Sequence, residues 1–276
     1  MTAERLPRLE LRDGNTIPAI GYGLFQVPSD DAQRLIEEAL AAGYRHIDGA
    51  AAYGNEGAVG KALAASGIDR DEIFVTTKLW NADQGYDSAL RAFDSSRELL
   101  GLDEIDLYLI HFPAPERGLF AETWTAFERL HAEGGARSIG VSNFIEPYLQ
   151  ELLASANEVP AVHQIEVHPT YQQRALQELS RAHGMVVEAY SPLGRSADLS
   201  APAVVEAAAR HGRTPAQVIV RWHVQHGTVP LPKSVNPERI VANLAVDDFV
   251  LTEAEMGAID ALEAGNRTGE DIPHFN

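Results

Sequence analysis

The chain contains no cysteine. Disulfides, thiolate nucleophiles, iron–sulfur clusters and most zinc sites are thereby excluded. Basic residues are scarce: 22 Lys and Arg against 40 Asp and Glu give a formal charge of −18. Such a surface repels a phosphate backbone and argues against nucleic-acid binding. Any anionic ligand must find a local cationic pocket against that field. No run of about 18 apolar residues occurs, so no membrane association is expected. The opening stretch, MTAERLPRLELRDG, is charged and lacks the apolar core of a secretory signal. Nucleotide fingerprints are missing too. There is no GxxxxGK[ST] loop, and Gly21-Tyr22-Gly23 runs into Leu24-Phe25-Gln26 without a third glycine. No G-x-S-x-G elbow for acyl chemistry is present. A soluble, cytoplasmic protein is expected, with a monomer as the default.

What is present suggests a large packed domain. Hydrophobic residues make up 45% of 276 and charged residues 22%, enough for a sizeable core. Short β-branched runs alternate with segments of helical period, the pattern of βα units. Strand-like runs lie at 21–25, 46–50, 73–78, 105–111, 138–141, 162–167, 186–190 and 229–232. Helical patterns include 31–42, 87–100 and 122–132, with a further one at 252–262. Ser29-Asp30-Asp31 offers N-cap chemistry to the first, and Gly43 stops it. Eight strands leave about 35 residues per unit, the length that a strand, a helix and two loops require. Before them, 9–11 and 16–18 flank Asp13-Gly14-Asn15, a hairpin turn forming a small lid. The expected fold is α/β: a (β/α)8 TIM barrel with an N-terminal β-hairpin and an extra C-terminal helix, one domain over 1–276. A doubly wound sheet is the rival, and the missing glycine fingerprint counts against it.

In such a barrel the reacting groups sit at the C-terminal ends of strands. Arg45-His46-Ile47-Asp48 ends one strand in Asp48, the next ends in Lys78, and Leu107-Tyr108-Leu109-Ile110-His111 ends another in His111. Their spacing is close to one βα unit each, and Tyr53 lies just past Asp48. Singly, each has a structural explanation: a helix-capping Asp, a solvent-reaching Lys, a core His, a packed Tyr. Together, on successive strands, they are hard to explain as packing. A lysine among Val75, Thr76, Leu79 and Trp80 is costly unless paired, and Asp48 is its obvious partner. An ammonium close to Tyr53 lowers the phenol's pKa from about 10. A phenol so tuned can donate a proton to a carbonyl oxygen and take it back in reverse. A neutral His111 can orient the same oxygen. Nothing in the set supplies a hydride, so a cofactor is implied.

The strings Asp48-Gly49-Ala50-Ala51-Ala52-Tyr53-Gly54-Asn55-Glu56, Thr76-Thr77-Lys78-Leu79-Trp80, Leu109-Ile110-His111-Phe112-Pro113, Gly140-Val141-Ser142-Asn143-Phe144, Gln164-Ile165-Glu166-Val167-His168-Pro169 and Leu231-Pro232-Lys233-Ser234-Val235 occur in this order. With them the chain resembles the aldo-keto reductase family over nearly its whole length. It is most similar to the bacterial 2,5-diketo-D-gluconate reductases, a branch supported by Gly21-Tyr22-Gly23-Leu24-Phe25, Tyr171-Gln172-Gln173-Arg174 and Thr214-Pro215-Ala216-Gln217. The resemblance implies a catalytic set of Tyr53, Lys78, Asp48 and His111, with Tyr53 as general acid. It implies that Ser142, Asn143 and Gln164 hold a nicotinamide carboxamide, that Tyr190 stacks on the ring, and that a loop with Ser191, Leu193 and Gly194 clamps the pyrophosphate. Asn243 would contact the adenosine. Three departures stand out: Gly49 replaces a usual Thr, Ala242 a common Glu, and Phe25 and Phe112 occupy positions that are often Trp.

Lys233, Ser234 and Val235 follow the eighth strand, Asn236-Pro237 looks like a helix start, and Arg239 lies in its first turn. Barrels bind phosphate at such places. In the family context this pocket points to the 2′-phosphate, hence to NADPH/NADP+ over NADH. A substrate pocket of Phe25, Trp80 and Phe112 is expected. The segment 113–119 and the tail beyond Leu262 look too short to wall a large cavity. Small carbonyl substrates, dicarbonyls or keto-sugars such as 2,5-diketo-D-gluconate, are therefore expected. The alternative is a non-metabolic barrel that keeps a bound nucleotide. No metal is expected. His163 faces away from Glu166 and His168 on a strand, although Gln164, Glu166 and His168 share a face and leave a metal-assisted hydrolase conceivable.

Overall fold

The computed structural model describes residues 7–270, 272 and 275. Strands β1 (Arg8–Glu10) and β2 (Thr16–Pro18) pair antiparallel as the expected hairpin, with Leu9 opposite Ile17. Eight parallel strands follow: β3 (Tyr22–Gly23), β4 (His46–Asp48), β5 (Phe74–Leu79), β6 (Ile105–Ile110), β7 (Ala136–Ser142), β8 (Val162–Glu166), β9 (Val186–Tyr190) and β10 (Val229–Pro230). Each pairs with its neighbour in sequence. The amides of Gly21 and Gly23 donate to the carbonyls of Pro230 and Pro232 at 3.1 and 3.3 Å, which brings the first strand against the last. The approach requires glycine, because a Cβ on Gly21 would lie 2.5 Å from the Leu231 side chain and 2.6 Å from His46.

Helices α1 (Ser29–Ala42), α2 (Glu56–Ala65), α3 (Tyr86–Leu100), α4 (Phe120–Ala132), α5 (Glu146–Ser155), α6 (Arg174–Ala182), α7 (Pro202–His211), α8 (Pro215–Gln225), α9 (Pro237–Leu244) and α10 (Glu253–Asp260) surround the sheet. The stop of α1 at Gly43 is as expected, with φ at +110°. Its start is not: Pro28 occupies the cap position, no side chain caps the helix, and Ser29 is already inside it. Proline fixes the backbone angle there, which moves the helix start ahead of the residues able to cap it. None of the described helices is long and apolar enough to cross a membrane.

Alternation along the strands builds two apolar layers. One lies between sheet and helices and includes Ile47, Val75, Tyr108, Ile139, Ile165 and Val187. The other fills the barrel interior with Phe74, Leu107, Leu109, Val162, Val229 and Leu231. Leu11 and Ile17 of the hairpin join the interior group, so the hairpin plugs the N-terminal mouth. Asn15 pins it there, donating to the carbonyl of Arg137 at 2.8 Å and to Ser138 Oγ at 3.2 Å. With one mouth sealed, the polar side chains of the other define the site.

Candidate active site

Asp48 is the last residue of β4, Lys78 the penultimate residue of β5, and His111 follows β6 directly. Parallel register therefore brings all three to one rim. A short 3-10 turn, Ala51–Tyr53, swings Tyr53 back over it. Lys78 Nζ is sealed from solvent and donates to both Asp48 oxygens, at 2.8 and 2.9 Å, and to the Gly49 carbonyl at 2.7 Å. It stands 5.3 Å from the centre of the Tyr53 ring. His111 meets that ring edge-on with centres 5.6 Å apart. The four expected residues are thus together.

The electrostatics correct one expectation. Burial raises the pKa of Tyr53, and the Lys78 ammonium only opposes that rise, so the phenol ends above its ordinary value rather than below it. Lys78 is itself held above the usual lysine range, because Asp48 and Tyr53 outweigh its desolvation. His111 is pushed well below the usual imidazole range by burial and by Lys78, so it is neutral. Its Nδ1 is buried without a hydrogen-bond partner among the described residues. At neutral pH the rim carries a fixed ammonium, a protonated phenol and a neutral imidazole.

Beside them lies a polar network. Ser142 ends β7, pairs in register with Gln164 of β8, and Gln164 pairs with Glu188 of β9. Gln164 Nε2 donates to Asp48 Oδ1 at 2.9 Å and to Glu188 Oε2 at 3.0 Å. Asn143 Nδ2 donates to the carbonyl of His111 (2.9 Å) and to Ser142 Oγ (3.0 Å), and its Oδ1 accepts from the Tyr190 hydroxyl at 2.7 Å. These bonds hold the Tyr190 ring across the mouth. The loop after it turns tightly: Ser191 has φ +47°, the Gly194 amide donates to the Ser191 carbonyl at 2.9 Å, and His223 contacts the Pro192 carbonyl at 3.1 Å. Leu193 packs on the core.

The second cluster is at α9. Asn236 caps the helix by accepting from the Arg239 amide at 3.1 Å, as the sequence suggests. The Ser234 carbonyl accepts from the Tyr22 hydroxyl at 2.7 Å, which fixes the loop, while Val235 is exposed. Lys233, Arg239 and also Arg195 are exposed and form no ion pair among the described residues. Unpaired cations beside a capped helix N-terminus fit a phosphorylated ligand on this otherwise acidic protein. Asn243 differs from the rest of its set: it is buried in the packing of α9.

The pocket wall departs from expectation. Phe25 is half exposed and packs on Tyr53, and Trp80 and Phe112 flank His111 at 5.4 and 4.9 Å between ring centres. The tail, expected to be too short to contribute, supplies Phe275, 4.3 Å from Phe112 and 6.1 Å from Trp80. Its path is set by Glu166 at the end of β8. That carboxylate accepts from the Thr268 amide and hydroxyl (2.7 and 2.5 Å) and from the Gly269 amide (2.9 Å). Chain length alone could not reveal this anchor. His168, between Glu166 and Asp198, is raised to about 9 by those two carboxylates and is therefore an imidazolium. Glu166 and His168 are accordingly bound up with the tail and the 194–200 turn. His163 turns outward to Ser180 Oγ of α6 at 2.8 Å, opposite to Gln164. Glu188, Arg195 and Phe275 were not anticipated, and Glu166, weighed in the sequence only as a metal ligand, anchors the tail instead. A glutamate inside the apolar run Val186-Val187-Glu188-Ala189-Tyr190 was the one sequence signal for the unanticipated residues.

The sequence model of the Aldo/keto reductase family matches residues 19–264. An aldo-keto reductase of Mycobacterium sp. (strain KMS) is 52% identical over 270 residues, covering 98% of each chain. The morphine 6-dehydrogenase of Pseudomonas putida is 46% identical, over 98% of this chain and 95% of its own. Among solved structures, a variant of Gox0644 in complex with NADPH superposes with a TM-score of 0.95 at 44% identity, over 99% of this chain and 100% of the other. With these likenesses spanning the whole rim just described, the chain belongs to the aldo/keto reductase family.

Proposed function

We propose that the protein reduces small aldehydes and ketones to alcohols with NADPH, with Tyr53 as the proton donor. The observation that carries this reading is the buried Lys78–Asp48 pair set against the Tyr53 ring, with neutral His111 at its edge. The chain is an NADP-dependent oxidoreductase by family. Ser142, Asn143 and Gln164 would hold the carboxamide, Tyr190 the ring, and the 191–194 turn the pyrophosphate. Lys233, Ser234, Val235 and Arg239 would hold the 2′-phosphate, with Asn243 under the adenosine. When bound, the cofactor supplies the hydride that no side chain can provide.

The chain's own residues then act on the carbonyl oxygen. His111 donates a hydrogen bond that orients it. Tyr53, protonated at neutral pH, delivers its proton as negative charge builds there. Lys78 lowers the cost of the phenolate left behind, and Asp48 keeps Lys78 in place and charged. A phenol that burial holds above its ordinary pKa is protonated near neutrality and so stands ready as the proton donor in the reductive direction. Phe25, Trp80, Phe112 and Phe275 would give the carbonyl substrate an aromatic wall. Short dicarbonyls and keto-sugars such as 2,5-diketo-D-gluconate are the candidates, acted on by a cytoplasmic monomer.

The test is NADPH oxidation against a panel of small carbonyls, repeated with Tyr53→Phe. Turnover should fall by about 10²–10⁴-fold, while the Kd for NADPH stays within about twofold of the wild type. Wild-type-like kcat in the variant sinks the mechanism.

A further inference from the structure

Glu188 has no part in the chemistry above, yet it is fully buried inside the barrel, one strand from the rim. Its Oε2 accepts from Gln164 Nε2, and among the described residues its Oε1 has no hydrogen-bond partner, with His46 Nε2 the nearest cation-capable atom at 3.6 Å. His46 is neutral, lowered to about 3 by burial and by Lys78, and its Nε2 is within 3.0 Å of Thr76 Oγ1. A carboxyl in this setting is costly to keep, so it calls for a function beyond packing.

The geometry of Gln164 supplies one. A primary amide has a donor end and an acceptor end. Here both N–H groups of the donor end are taken by two carboxyl groups on different strands, Asp48 of β4 and Glu188 of β9. Asp48 alone selects which end faces inward but leaves the amide free to swivel about its last side-chain bond. A second acceptor on the opposite side fixes the plane. Gln164 Oε1 must then point away from both carboxyls, and no described residue donates to it. An acceptor presented in this way matches the N–H2 of a carboxamide.

We propose that Glu188 is a positioning residue: with Asp48 it fixes the plane of the Gln164 amide, so that Gln164 Oε1 accepts from the carboxamide N–H2 of the nicotinamide. The inference rests on the carbonyl-reductase reading and adds to it a residue that touches neither substrate nor cofactor. Burial and the nearby Asp48 push the Glu188 carboxyl well above the usual carboxylate range, which favours its neutral form, and glutamine is the neutral residue of closest shape. Glu188→Gln keeps an acceptor for Gln164, and Glu188→Leu removes it.

The experiment measures the Kd of NADP+ and of its 3-acetylpyridine analogue, in which a methyl replaces the carboxamide N–H2. Wild-type protein should bind NADP+ about tenfold more tightly than the analogue, as the loss of one buried hydrogen bond implies. Glu188→Gln should retain that ratio. Glu188→Leu should bring it close to one, with the analogue's own Kd within about twofold of wild type. Should Glu188→Leu not fold, as judged by its thermal melt, Glu188→Met replaces it with the same expectation. Equal weakening of both ligands in the leucine or methionine variant, or an unchanged ratio, overturns the proposal and leaves the carbonyl-reductase reading standing. Failure of the wild type to bind NADP+ overturns both.

Discussion

At the N-terminal mouth of the barrel, Asp106 accepts from the Val75 amide (2.9 Å) and from Arg70 (2.5 Å), and Arg137 reaches Glu104, Asp71 and, at 3.5 Å, Asp106. At the C-terminal mouth, Lys78 has its partner, but His111 Nδ1 has none, and Arg195, Lys233 and Arg239 stand without counter-ions among the described residues. The backbone divides in the same way. All seven described non-glycine residues with left-handed φ follow the C-terminal ends of strands: Gln26, Ala114, Asn143, Gln173, Ser191, Arg195 and Ser196. Such conformations cost of order 1–3 kcal/mol each and persist where surrounding structure imposes them. One end of the barrel has its charges matched and its opening plugged. The other keeps strain and unmet hydrogen-bonding capacity, which a ligand can satisfy.

Three substitutions sharpen that contrast. The largest effect is expected for Lys78→Met. It leaves Asp48 buried without its cation, so stability should fall by about 3–5 kcal/mol and turnover by about a thousandfold. Adding Asp48→Asn should recover most of the melting temperature and none of the turnover. A double variant that regains activity would show the pair to be structural only. Next, Asp106→Asn at the opposite mouth weakens the charge-assisted bonds to Arg70 and Arg137. Its Tm should drop by about 5 °C, corresponding to about 2 kcal/mol, with kcat/KM for a carbonyl substrate within about twofold of wild type. Loss of activity at unchanged Tm would erase the distinction between the ends. The smallest effect is expected for Arg239→Ala. The exposed guanidinium carries no ion pair among the described residues, so Tm should not move, while the preference for NADPH over NADH in kcat/KM falls by about tenfold. An unchanged preference removes Arg239 from the phosphate site.

The rim was legible because strand ends are local features. Apolar runs ending in Asp48, Lys78 and His111 at intervals of one βα unit need only periodicity to be read. The pairing of Lys78 with Asp48 was legible for the same reason, since the two strands are adjacent. The direction of the Tyr53 shift was not. Proximity of an ammonium argues for a lowered pKa, and only the depth of burial shows that desolvation outweighs it. The tail was misread because its length says nothing of where it is anchored. Thr268 and Gly269 reach Glu166 across about a hundred residues of sequence, and they bring Phe275 to Phe112. Glu188 was visible as an acid in an apolar strand, but its partner became apparent only once register set it beside Gln164.

Sequence by itself determined the order of strands and helices, the hairpin turn at Gly14, and which ionisable groups stand at which strand ends. These follow from side-chain periodicity and turn chemistry, which act over a few neighbouring residues. Tertiary structure alone decided which mouth the hairpin seals, how Gly21 and Gly23 join the last strand to the first, how deeply Tyr53 is desolvated, and which two carboxyls hold the Gln164 amide. Each of those depends on groups far apart in the chain meeting in a medium of low dielectric, where burial and register set the energy and local pattern does not.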